Sequence, residues 1–461
     1  MAKEFSARWR RSLLFWASVA AVTSNGAAFA QTSSKPMPQF TQLDQQLQSI
    51  VTDQRKPLAS LSALAIRGGA IVYQQSFGYR TIDVTGGSHS VPADSSTLYR
   101  VASVSKLVAS IGVLRLVDQG KLDLDADIGN YLGFAVRNPH FPDMPITVRM
   151  LLTHTSSLRD EGGYSFPVDV SLRDVLRPEG LQYGKGLQWA ASSADADRAP
   201  GRYFEYCNLN WGVLGSIAEA VSGQRFDRYM QQAVLAPLKI AGSYNPEELT
   251  QEEISRLAVL YRKQGTDEVW NTAGPWVVQT DDYQGKLPAR RQGLEHYIPG
   301  SNATLFSPQG GLRISTGGLA RLMLMLMNGG ELEGVHVLKR QTVDAMLSEQ
   351  WRYDAGRKNG DNYQGLFQSW GLGAQHFSDI SAAHFGDRLV AGGGFKAYGH
   401  LGFAWGLNSG FVFDPVSRNG MIYIIGGVGA DPEKNRGEYS SLNIWEEQVL
   451  DALYRGAIVG P

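Results

Sequence analysis

The chain predicts an α+β fold in which strands from both ends of the sequence form one layer and the middle supplies an enclosed helical region. Three features lead there. Strand-like runs occur at 64–66 and 70–77 and again at 407–413 and 421–425. Stripes at helical spacing occupy most of the stretch between them. The 461 residues, 43% of them hydrophobic, are enough to bury a sizeable core.

The first 30 residues read as a secretory signal. Lys3, Arg8, Arg10 and Arg11 give a basic start, 13–22 an apolar stretch, and Ala28-Phe29-Ala30 a small-x-small cleavage site. The apolar stretch is too short to span a bilayer, so no stable membrane anchor is expected and the mature chain is placed in the periplasm or outside the cell. Cleavage leaves a net charge of −4, against −1 for the full chain, which argues against a nucleic-acid partner. Cys207 is the only cysteine, so no intrachain disulfide can form.

Residues 31–39 read as a flexible lead-in with Pro36 and Pro38. Phe40, Leu43, Leu47 and Ile50 then mark an amphipathic helix, and Gly68-Gly69 turns the first strand pair. A helix striped by Leu107, Ile111, Leu114 and Val117 should stop at Gly120. A polar turn and short helix cover 123–132, and Thr147 can cap a helix through Leu152. The polar, Gly- and Pro-broken stretch 159–200 suits loops around a cleft. Helices follow at 210–221 and 226–234, with Gly223 between them. The stretch 265–300 has little periodicity and suits a lid or cleft wall. Ser315 or Thr316 can cap an apolar helix over 319–327, and Leu442, Trp445, Val449 and Leu453 mark the closing helix.

Chemistry is concentrated in three short motifs. Ser103-Val104-Ser105-Lys106 opens the long helix; residues three apart share a helix face, so the Lys106 amine can reach the Ser103 hydroxyl. Alone this pattern is weak, since roughly one or two S-x-x-K matches arise by chance in such a chain. Tyr206-Cys207-Asn208 opens the next long helix, and His400-Leu401-Gly402 stands just before a strand.

Together the motifs resemble the signature of the serine β-lactamase and penicillin-recognising superfamily, in the branch of class C β-lactamases, D-alanyl-D-alanine peptidases and family VIII esterases. Leu151-Leu152-Thr153-His154-Thr155-Ser156, Pro200-Gly201, Phe306-Ser307-Pro308 and Gly310-Gly311-Leu312 extend the likeness to about residues 40–456. The resemblance implies a β-lactamase/transpeptidase-like fold, an antiparallel sheet flanked by helices with an inserted all-helical subdomain. Residues 40–461 would be the catalytic domain, with the α/β layer from about 40–100 and 300–461 and the helical region at about 101–299.

It also implies roles. Ser103 would be acylated, and Lys106 and Tyr206 would move its proton, an ammonium nearby favouring the Tyr206 phenolate. Asn208 would bind the Lys106 amine or a substrate carbonyl. The oxyanion would sit between the N–H groups of Ser103 and Phe403, with Gly402 allowing close approach. His154 reads as structural, and Cys207 as packing.

β-Lactamase-type members carry Lys-Thr-Gly where this chain has His400-Leu401-Gly402. A neutral imidazole and an aliphatic side chain weaken recognition of an anionic tail, so ester cleavage is expected ahead of D-amino-acid peptidase or feeble β-lactamase activity. The substrate would be a small ester, amide or peptide, with no cofactor and no metal. The rival from another class is a non-catalytic protein that binds cell-wall fragments or assembles with partners.

Overall fold

A computed structural model describes residues 40–84, 89–177, 184–194, 196–265 and 269–460. The signal and lead-in expected at 1–39 lie outside the described residues. Helix α1 (Thr41–Val51) buries Leu43, Leu47, Ile50 and Val51, as its spacing predicts. Strands β1 (Ser60–Arg67) and β2 (Ala70–Thr81) form an antiparallel hairpin. Gly68 and Gly69 turn it with φ of 59° and 83°, the left-handed values that a tight hairpin turn of this type needs. Strand β3 (Val91–Pro92) adds to the far edge of β2.

The middle of the chain supplies α2 (Val104–Asp118), α3 (Val148–Leu152), α4 (Leu209–Ser222) and α5 (Phe226–Met230). Helix α6 (Thr316–Met327) follows, its first turn capped by Ser315 Oγ, which accepts from Gly318 N at 3.1 Å. The C-terminal part adds β4 (Trp351–Arg352), β5 (Ser369–Trp370), β6 (Gln375–Phe377), β7 (Ala397–Ala404), β8 (Leu407–Asp414) and β9 (Asn419–Ile425) before α7 (Ile444–Leu453).

These strands make one antiparallel sheet in the order β4-β5-β6-β7-β8-β9-β1-β2-β3, so the two ends of the chain meet where β9 pairs with β1. Along β1 the side chains divide between two cores. Leu61, Ala63 and Ala65 pack toward α1 and α7 with Leu47, Trp445 and Val449. Leu64 and Ile66 face the other way, toward Leu107 of α2 and Met323 of α6. A strand covered on both faces loses polar alternation, which is why β1 runs beyond the short apolar stretch that marks it.

Helix α2 departs from its expected stripe. Every residue from Val104 to Leu114 is buried, Ser105, Lys106 and Ser110 included, because the helix runs between strand β7 and helix α4. Two further expectations need correction. His400-Leu401-Gly402 does not precede a strand but lies inside β7, whose glycines and polar side chains hide its period. The 101–299 region is not all-helical: Gly242–Ser243 joins Arg313–Ile314 and Tyr99–Arg100 in a small sheet. Within 265–300, Trp276–Thr280 pairs with Leu260–Lys263, its side chains mostly half-exposed and therefore without a readable alternation. Among the described residues no helix is long and apolar enough to cross a membrane.

Strand β6 meets β7 only from Ala397, opposite Phe377, to Gly399, opposite Gln375, so on that side the edge of β7 from His400 to Ala404 has no β6 partner.

Candidate active site

Ser103 is the N-cap residue of α2, beside this unpaired edge. The turn that presents it is strained: Ala102 has φ of 43°, a left-handed conformation that costs an alanine about 1–2 kcal/mol. The surroundings hold it there. Val101 N donates to Leu312 O at 2.9 Å, Ser409 Oγ donates to Val101 O at 2.9 Å, and Leu312 N donates to Ser105 Oγ at 3.0 Å.

Lys106 is fully buried one turn along, and its Nζ lies 2.9 Å from Ser103 Oγ. The same nitrogen donates to Asn208 Oδ1 at 2.7 Å and to the Gln309 carbonyl at 3.0 Å. Burial pushes its pKa down to about 7, against the opposing pull of Asp160. A neutral amine has two N–H donors and one lone pair. With both donors taken by oxygens that can only accept, the lone pair is left for the Ser103 hydroxyl.

Asp160 fixes which way Asn208 points. One carboxylate oxygen accepts from Asn208 N at 2.9 Å and Asn208 Nδ2 at 2.7 Å, the other from Leu209 N at 3.0 Å. It therefore caps α4 and turns the amide oxygen of Asn208 toward Lys106. The sequence offered no way to single out Asp160 from the polar loop that carries it. Gln309 was equally hidden, because it contributes a backbone carbonyl. Cys207 is buried and its thiol donates to Asp160 Oδ1 at 3.4 Å; burial pushes the thiol pKa up, which suits packing.

Tyr206 stands over the same amine, with Lys106 Nζ 4.8 Å from its ring centroid. Burial drives the phenol pKa upward and a hydrogen bond with Ser103 only partly offsets it. The expected phenolate is thus disfavoured: desolvation acts on both groups, and the amine is the one left unprotonated near neutral pH and so available as the base. The ring is held by His154, stacked at 4.4 Å, and by Phe367, stacked at 5.4 Å. His154 Nδ1 accepts from Cys207 N at 2.9 Å, the structural part expected of it.

His400 is sealed, with 2% of its surface exposed. Its Nδ1 donates to the Leu401 carbonyl at 2.6 Å, which leaves Nε2 unprotonated and without a protein partner. Burial and the Lys106 charge push its pKa down to about 3, so it is neutral at ordinary pH. Leu401 lies on the opposite face of the sheet, against the α1–α7 core. Gly402 has no room for a side chain: a Cβ there would lie 2.4 Å from Ser409 Oγ, 2.6 Å from Val101 O and 3.0 Å from Ser103 N. That close approach brings β7 against the nucleophile. Phe403 follows with its side chain 57% exposed. Ser103, Lys106, Tyr206, Asn208, His400 and Gly402 thus meet at one place, although they come from three distant segments.

A family model described as Beta-lactamase matches residues 43–442. The chain belongs to that family. Among relatives, Protein flp of Staphylococcus aureus (strain N315) is 24% identical over 256 residues, 55% of this chain and 48% of flp, so the match spans about half the length of that relative. Among solved structures, D-amino acid amidase from Ochrobactrum anthropi SV3 aligns over 90% of this β-lactamase-family chain and 99% of its own, with a TM-score of 0.58 and 20% identity. The octameric penicillin-binding protein homologue from Pyrococcus abyssi aligns over 85% and 74%, with a TM-score of 0.58 and 19% identity. At these identities the structural likeness establishes the fold, and the family's antiparallel sheet with its helices is the architecture described above.

Proposed function

We propose that this β-lactamase-family protein hydrolyses carboxylic esters through an acyl-enzyme on Ser103. The observation that carries the proposal is the saturated environment of Lys106, whose only uncommitted electron pair faces the Ser103 hydroxyl.

In the first half-reaction Lys106 Nζ takes the hydroxyl proton as Ser103 Oγ bonds to the substrate carbonyl carbon. The charge that develops on the carbonyl oxygen is met by the Ser103 N–H at the start of α2 and by the Phe403 N–H on β7. The carbon–oxygen bond to the alcohol then breaks, and the proton returns to the leaving oxygen from Lys106, directly or through the Tyr206 hydroxyl. Water repeats the sequence on the acyl-enzyme and restores Ser103. Tyr206 acts here as a neutral phenol that passes a proton and needs no ionised form.

The ester preference is supported by the neutral, sealed His400 and by the turning away of Leu401, which leave no charge at the third motif for an anionic leaving group. Amides and D-amino-acid peptides are the second reading, supported by the Lys106–Tyr206 pair, which can protonate a nitrogen leaving group. Treatment with a fluorophosphonate probe should give one adduct on Ser103, located by peptide mass spectrometry. An unmodified Ser103 in folded protein would overturn the hydrolase reading in favour of a binding protein. Rates on p-nitrophenyl butyrate, nitrocefin and a D-Ala-D-Ala peptide separate the substrates.

A further inference from the structure

Three residues before the nucleophile stands a guanidinium that the reaction above does not use. Arg100 Nε donates to the Gly310 carbonyl at 3.0 Å. Its guanidinium lies face to face with Trp405, 3.9 Å from the ring centroid. Among the described residues it forms no ion pair with a carboxylate, and its two Nη groups make no hydrogen bond. Asp281, the acid whose charge acts on it, is committed to Arg313 at 2.6 and 3.1 Å. The Arg313 charge opposes that of Arg100, and the phenols of Tyr283 and Tyr164 favour it. Such a cation, part-buried and without a counter-charge, is suited to an anion that arrives from outside.

Trp405 is held in place at a cost. It and Gly406 form the turn between β7 and β8, with φ of 53° and 78°. A left-handed backbone is unusual for a bulky residue. It keeps an indole that is still 40% exposed against Arg100.

The strand also says which part of a substrate would reach this corner. His400 lies within β7 and Trp405 in the turn that ends it, five residues on, with Gly402 and Phe403 between them. Tyr206, through which the proton can reach the leaving group, sits on the His400 side, their ring centroids 6.1 Å apart. The leaving group therefore departs toward His400, and the acyl group extends the other way, toward Trp405.

We infer that Arg100, backed by Trp405, is a specificity residue that binds a carboxylate on the acyl side of the substrate, so that half-esters of dicarboxylic acids or acyl groups with an acidic side chain are preferred. The inference rests on the hydrolase reading and reconciles it with the neutral third motif: the anion is recognised at the opposite end of the strand. Carboxylate binding here accompanies the same acyl transfer and adds no chemical step.

The test compares the p-nitrophenyl monoester of glutaric acid with p-nitrophenyl valerate, which has an acyl chain of equal length. The wild-type protein should favour the anionic ester at least tenfold in kcat/KM, mainly through KM, and the preference should shrink in 0.5 M NaCl. Arg100→Gln should lower the ratio at least tenfold, while Arg100→Lys keeps part of it. Fluorophosphonate labelling of Ser103 is measured on each protein. If the wild type is labelled yet shows no preference, or if Arg100→Gln is labelled and keeps the ratio, the subsite is wrong and the hydrolase reading stands. Loss of both esters in equal proportion in a labelled Arg100→Gln makes Arg100 structural and also overturns the subsite. If Arg100→Gln fails to fold, Trp405→Leu and the wild-type salt dependence decide: an unchanged ratio in both overturns it. No labelling of the wild type removes the hydrolase reading itself.

Discussion

A basic residue lies at each end of the unpaired β7 edge, His400 within it and Arg100 beside the turn that follows it, and they have been treated in opposite ways. At one end His400 is sealed among Tyr206 and Trp370, bonded to its neighbouring carbonyl and neutral. At the other Arg100 is part-buried, lies on an open indole and keeps its charge, although burial and Arg313 push its pKa down to about 9. Both lose solvation, but imidazole can shed its proton within the physiological range and guanidinium cannot. The difference teaches that whether a basic side chain keeps its charge depends on what folds against it, and a motif alone does not report that.

The contrast presumes a competent centre between the two ends, and the largest expected effect is there. Lys106→Ala should lower kcat/KM about 10³-fold on charged and neutral esters alike, measured by initial rates, because the proton acceptor is gone. An equal loss on both esters sharpens the comparison; a loss confined to one would break it. Gly402→Ala should follow at about 10²-fold with a lowered Tm, since the new methyl pushes β7 away from the Ser103 N–H and misplaces the oxyanion site. Calorimetry and kinetics on the same sample read both.

Asp160→Asn should cost about tenfold in rate and about 2 kcal/mol in stability, the loss of charged hydrogen bonds at the start of α4. It carries a further signature in pH. The wild-type rate should rise through pH near 7 as Lys106 loses its proton, since the ammonium form has no free electron pair. Asp160 favours that ammonium, so removing its charge should move the acidic limb to lower pH, which a kcat/KM profile from pH 5 to 9 would reveal. The smallest effect belongs to His400: in His400→Gln the ratio of anionic to neutral acyl substrates should stay within about twofold, because a neutral group replaces a neutral group. A ratio that falls as far as in Arg100→Gln would erase the asymmetry between the two ends.

Much of the fold could be read from residues. The first helix, the Gly68-Gly69 hairpin, the Ser315 cap and the β8–β9 pair follow from spacing and turn chemistry, which are local. What stayed hidden has physical causes. β7 is a strand rich in glycine and polar side chains, and α2 is buried all round, so neither shows a clean period. The order of protonation at Lys106 and Tyr206 depends on desolvation, and desolvation is a property of the neighbours.

The candidate site divides in the same way. The linear chain fixed the identities of Ser103, Lys106, Tyr206 and Asn208, since three-residue spacing and helix starts are properties of a few consecutive residues. Asp160, the Gln309 carbonyl and the pairing of Arg100 with Trp405 were decided by tertiary structure alone. Each joins residues dozens to hundreds of positions apart, and whether a charge is sealed, bridged or left open depends on what folds against it.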